Sequence, residues 1–151
     1  MKWTNKHIKQ FKEAEEYVDT VLTPLVPFTL QGKDAEKKAL QYEVMTIFAN
    51  EIEQKLTGRL FQFPHYIYES SADLHDETER LNDWINKNNN EYFKHHILLT
   101  FDASWRKTEK YLEGNLLWIP AMYSGDIYSK EVTQMMQDQI NEIIELIQSY
   151  W

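Results

Sequence analysis

HHILLTF, residues 95–101, is the stretch whose reading decides the fold. From Ile97 to Phe101 apolar and β-branched residues follow one another without the polar alternation of a strand that has one wet face. Such a strand is covered on both sides, and the architecture that covers both sides is a parallel sheet between two layers of helices. An acid, Asp102, comes next, with Ser104 two places further on. Whether this Asp-x-Ser is the rim of a site or the start of a helix is the functional question the sequence poses.

Toward the C-terminus, SWRKTEKYLEGN (104–115) reads as a short helix stopped at Gly114, and LLWIPAM (116–122) as a second buried strand. From 129 to 150, Val132, Met136, Ile140, Ile143 and Ile147 fall on one helical face. Toward the N-terminus, SSADLHDETERLNDWINKN (70–88) is a helix with an acidic cap at Asp73, ended by Asn88, Asn89 and Asn90. RLFQFPHYIY (59–68) reads as a strand bent at Pro64. Residues 32–58 repeat Leu40, Val44, Phe48, Ile52 and Leu56 every fourth place, with Asp34 as cap and Gly58 as stop. TVLTPLVPFTL (20–30) is apolar, but Pro24 and Pro27 lack ladder donors, which predicts an edge strand or an extended segment. A helix capped by Thr4 covers 5–18. The order is a helix followed by four strand-and-helix units. It predicts one α/β domain over 1–151, a three-layer sandwich with a mainly parallel four-stranded sheet, flavodoxin- or Rossmann-like. In a flavodoxin-like strand order the proline-bearing segment would have to lie inside the sheet.

EYVDTVLTPLVP, ANEIEQKLTGRLFQFP, ERLNDW, HILLTFDASW and LLWIPA together resemble the YpiF-like proteins of Gram-positive bacteria, over most of the chain. That family is a domain of unknown function. The resemblance implies a small cytoplasmic bacterial protein and brings no activity, cofactor or site residue with it.

Composition narrows the classes further. The net charge of −8 and the lack of a Lys/Arg cluster argue against nucleic acid. Without cysteine there is no disulfide framework and no thiolate zinc site, which fits a reducing cytoplasm. The charged opening MKWTNKHIKQFKEAEEY is neither a signal nor a transit peptide, and no apolar run is long enough to span a membrane.

In an open parallel sheet, ligands bind beyond the carboxyl ends of the strands. That rule selects Pro27 and Phe28, then Tyr68, Glu69 and Ser70, then Asp102 and Ser104, then Tyr123, Ser124 and Asp126. Of these, Glu69, Asp102, Ser104, Tyr123 and Asp126 are the candidate ligand-binding residues of an acidic, aromatic crevice. There Asp102 and Ser104 would orient a substrate, Tyr123 would stack or donate, and Glu69 and Asp126 would hold a cation such as Mg²⁺. No catalytic residue is assigned. Ala103 and Trp105 flank Ser104 where a nucleophile elbow has glycines, so the simpler role is capping of the following helix by one of the two side chains, Asp102 or Ser104. No histidine pair has metal-binding spacing, and no glycine-rich phosphate loop occurs. Neither a metal nor a cofactor is expected on these grounds. Tyr150 and Trp151, aromatic at a helix end, are candidates for a protein partner or a homodimer through the C-terminal helix. The leading expectation is a non-catalytic binding or regulatory module. The alternative is an enzyme or a small-ligand or metal binder using the strand-end crevice.

Overall fold

The computed structural model describes residues 1–121 and 125–151. In chain order these form α1 (Asn5–Ala14), β1 (Thr20–Phe28), α2 (Ala35–Lys55), β2 (Leu60–Gln62), β3 (Tyr66–Glu69), α3 (Leu74–Lys87), β4 (His95–Thr100), β5 (Asn115–Trp118) and α4 (Lys130–Ser149). Short 3₁₀ turns occupy Glu15–Tyr17, Ala103–Lys107 and Glu109–Tyr111. All the strand pairings are parallel, in the order β2-β1-β4-β5, and β3 also pairs with β1. The expected three-layer α/β architecture is present. The sheet has five strands rather than four because Phe63–His65 interrupt the segment read as one strand. β2 and β3 therefore lie end to end along the same side of β1.

The proline-bearing segment is not at the edge. β1 is the central strand, nine residues long, paired on both sides and almost wholly buried. The correction has a geometric cause. Along a strand, successive residues turn their N–H and C=O groups to alternate sides. Thr20 N donates to Arg59 O, and Leu22 O accepts from Phe63 N, so even-numbered residues face β2 and β3. Leu25 O accepts from Thr100 Oγ1, so odd-numbered residues face β4. The donor Pro24 lacks would therefore have pointed into the break between β2 and β3. The donor Pro27 lacks would have pointed past the last β1–β4 pair, Leu25 with Thr100. Neither proline deprives a neighbour of a ladder bond.

The two faces of the sheet are covered separately. Leu22, Val26, Ile97 and Leu99 point to the side of α2 and α4, where Phe48 and Ile140 are fully packed. Leu25, Leu98 and Leu116 point to the side of α3 and meet Leu81, Ile85 and Trp105. α1 covers the same side nearer β2, with Phe11 edge-on to Phe61 at 5.2 Å. Caps follow the sequence at two helices, where Thr4 accepts from His7 N and Asp73 from His75 N, and Ser129, accepting from Val132 N, caps α4. Asp34 does not cap α2 with its side chain, because its backbone is already helical and not extended. Gly58, at φ 92°, is the left-handed stop expected after α2.

Residues 104–115 are two 3₁₀ turns and not one helix. Thr108 lies between them and donates its hydroxyl to Trp105 O, a side-chain bond that competes with helical propagation. Nor is Gly114 a left-handed stop. A Cβ there would lie 2.8 Å from Leu98 Cγ and 3.0 Å from His96 O, so glycine serves the close approach of this turn to β4. The last residue folds back onto the sheet. Trp151 Nε1 donates to Thr20 Oγ1 at 2.8 Å, and the Arg59 guanidinium lies 3.8 Å above its ring. Arg59 itself forms two bonds of 3.0 Å to the Asp19 carboxylate. Tyr150 stays exposed. No helix among the described residues is long and apolar enough to cross a membrane.

Candidate functional site

Strand order turns from one side of β1 to the other between β3 and β4, so the crevice rule points at the carboxyl ends of β3, β1 and β4. Tyr68 is level with Pro27 in the register, and Leu25 with Thr100. Asp102, two residues past Thr100, therefore belongs to the same row. Tyr68 reaches across the end of β1 and donates its hydroxyl to Asp102 Oδ2 at 2.5 Å. The Tyr68 hydroxyl oxygen in turn accepts from Trp105 Nε1 at 2.9 Å. Asp102 Oδ1 accepts from Ser104 N at 3.0 Å, which makes Asp102 the cap of the 3₁₀ turn after β4. Burial, and then the hydrogen bond and charge of Asp102, push the Tyr68 hydroxyl far above its ordinary value, so it stays a donor. Both oxygens of Asp102 are thus engaged in joining β3, β4 and the following turn across the end of β1.

Replacing Asp102 by alanine is expected to lower the unfolding free energy by about 2 kcal/mol, roughly half from the cap and half from the stranded Tyr68 hydroxyl. Urea unfolding of the two proteins measures it. A Tyr68→Phe control leaves the cap in place and removes only the hydroxyl that bonds Asp102.

The remaining candidates scatter. Asp102 and Ser104 share a small cleft of about 270 Å³ with Ser70, His75 and Lys107. Glu69 closes β3 on the opposite face and is exposed. Asp126 is exposed in the turn before α4, where its side chain accepts from Tyr128 N. Tyr123, with Ser124, lies outside the described residues. Among the described residues no three His, Asp or Glu side chains gather as a metal would require.

A larger feature lies on the other face at the same end. Between the first turns of α2 and the ends of β1 and β3 runs an apolar groove of about 680 Å³. Its walls include Phe28, Leu30, Tyr42 and Ile67, which are 51%, 78%, 44% and 49% exposed. Phe28 was within reach of the sequence rule. Leu30, Tyr42 and Ile67 were not, although apolar residues persisting in PFTLQG beyond the end of a strand are a signal that this loop faces more than water.

Two histidines respond to pH. Burial lowers His65 and His96 below the ordinary imidazole value, and among the described residues a buried Nδ1 in each has no hydrogen-bond partner. Near-neutral protons then bind the unfolded chain more than the folded one. Their contribution is complete above the unfolded value of 6.5 and declines as pH falls below it, toward the lowered folded value. Asp19 contributes differently. Burial raises its carboxyl, but the bonds and charge of Arg59 outweigh this and hold it below 3.8, so its contribution is lost only in stronger acid. Urea midpoints are therefore expected to fall between pH 7 and pH 5.5, and a His65→Asn/His96→Asn variant should flatten that slope relative to its own pH 7 value.

Comparison with known proteins places the chain. A family model described as "Protein of unknown function (DUF2487)" matches residues 9–151. A relative from Bacillus subtilis (strain 168), the uncharacterized protein YpiF, is 25% identical over 156 residues, spanning all of this chain and 98% of its own length. No solved structure matches.

Proposed function

We propose, from the premise that this chain belongs to the DUF2487 family of proteins of unknown function, that it is a non-catalytic module that binds a protein partner at the α2–β1–β3 groove. The observation that carries this reading is the gathering of Phe28, Leu30, Tyr42 and Ile67, all substantially exposed, around one trough. Contiguous apolar surface of this kind marks an interaction site where scattered single residues do not. The partner presents an amphipathic helix. A partner strand would need the outward carbonyls of β3, but Ile67 O already accepts from Arg80 Nη2 and Glu69 O from Ala72 N. Helix-in-groove docking asks only for apolar anchors at helical spacing. Glu36 and Glu43 on the wall, against a single Lys38, favour basic residues beside the partner's apolar stripe. The bonds held by both oxygens of Asp102, one across the strand ends and one to the following turn, give it a structural role and support the non-catalytic part of the reading.

The test is site-specific photo-crosslinking in the native host. The probe is placed at Leu30 and, as a control at the other end of the strands, at exposed Tyr17. The expected result is an adduct at Leu30 alone, lost in an Ile67→Asp background, whose partner peptide is an amphipathic helical segment with flanking Lys or Arg. Equal adducts at both positions, an adduct of the chain with itself, or an extended partner peptide overturns it.

A further inference from the structure

We infer that a second cavity, at the opposite end of the molecule, binds a small organic cation with an apolar body. It lies between α1 and α3 at the amino ends of the strands and holds about 460 Å³, within the range of small-molecule sites. Its walls are Trp3, Phe11, Phe61, Phe63, Trp84 and Phe93. The rings brace one another: Phe11 lies 5.2 Å from Phe61 and 5.9 Å from Phe93, and Phe63 lies 6.0 Å from Trp84. The enclosure is thus built of π-systems held in place by their neighbours. Trp3 is 70% exposed beside it, an indole that the fold leaves uncovered at the edge of an aromatic chamber.

Polarity selects the ligand's charge. Among the described residues Glu15 is the one ionisable side chain on the lining, and Asn88, Asn89 and Asn90 supply neutral amides. Nearby, the Tyr92 hydroxyl is raised chiefly by Glu91, with smaller contributions from burial and from Glu15 and Glu16. Aromatic faces attract cations through the ring quadrupole, and a carboxylate at the rim adds direct attraction. An anion meets repulsion from both. A neutral apolar molecule gains the walls but nothing from Glu15. The cavity shares no lining residue with the α2–β1–β3 groove, so the two proposals stand or fall separately.

The experiment compares choline with 3,3-dimethyl-1-butanol, which has the same shape with carbon in place of the charged nitrogen. Binding to the full chain is followed by calorimetry and by the indole N–H resonances of Trp3 and Trp84. Choline is expected to bind at least about tenfold more tightly than the alcohol and to shift both indole resonances. Glu15→Gln should cancel most of that preference. Trp3→Ala should weaken choline several-fold with no change in the urea midpoint, because the ring it removes is largely exposed. Equal binding of the two probes, binding of neither at millimolar concentration, or a preference undiminished by Glu15→Gln overturns the proposal.

Discussion

Trp105→Ala is expected to lower the unfolding free energy by about 3–5 kcal/mol, the largest effect of any single substitution considered for this chain. The side chain is fully buried and is the largest of the wholly buried ones. It stands edge-on to Tyr68 with ring centroids 5.2 Å apart, inside the cluster that joins α3 to the sheet. Alanine would leave a void lined by Leu25, Leu81 and Leu98, whose strands and helix are too well fixed to collapse into it. It would also remove the indole N–H that holds the Tyr68 hydroxyl toward Asp102. Since whole domains are stable by only about 5–15 kcal/mol, the variant should be close to unfolded at 37 °C. Trp105→Phe separates the two contributions: it keeps most of the volume and loses the bond, at a cost of about 1–2 kcal/mol. Urea unfolding of both variants decides. Similar losses for Phe and Ala would mean that the bond, and not the packing, sets the cost.

The second large effect is expected at Gly114→Val, about 3 kcal/mol at the upper end of what overpacking costs. Even a single added carbon would sit inside contact distance of Leu98 Cγ and Cδ1 and of the His96 carbonyl. The leucine could shift, but it is fully buried between β1 and α3, and the carbonyl is backbone. Valine adds two branches to that conflict and should push β5 away from β4. Gly125 is the control: at φ 77° a side chain there strains the backbone but, among the described residues, meets no atom within 4 Å. Thermal and urea midpoints of Gly114→Val, Gly114→Ala and Gly125→Ala should rank in that order of loss.

These two positions show what sequence reading reaches. Periodicity alone places α2, α3, α4 and the buried strand at 95–100, because each follows from a regular spacing of apolar residues. The role of Gly114 does not follow, since a glycine after a short polar stretch looks the same whether it ends a helix or admits a neighbouring strand. β1 was misplaced at the edge for a related reason. The proline rule concerns donors, and whether a donor is missed depends on what faces it, which only the register of β2, β3 and β4 reveals. The row Tyr68–Pro27–Asp102 likewise needs the strand order, so its members were named from the sequence but not their bonding. Asp102 as a cap was legible, since an acid two residues before a serine at a strand end carries that signal locally. The groove was half legible: Phe28 follows from the strand-end rule, whereas Ile67 is exposed only because nothing covers that face of β3.

An all-parallel sheet has a consequence for how the chain comes together. None of its strands meets its partner through a short reversal. The bond from Thr100 to Leu25 links residues 75 apart, so the central pair closes a long loop before any neighbour rewards it. Loop closure costs entropy that grows with separation, and topologies dominated by distant pairings fold slowly for that reason. Refolding should therefore be limited by formation of the β1–β4 seam, with substitutions at Leu25 or Leu98 slowing folding more than they speed unfolding.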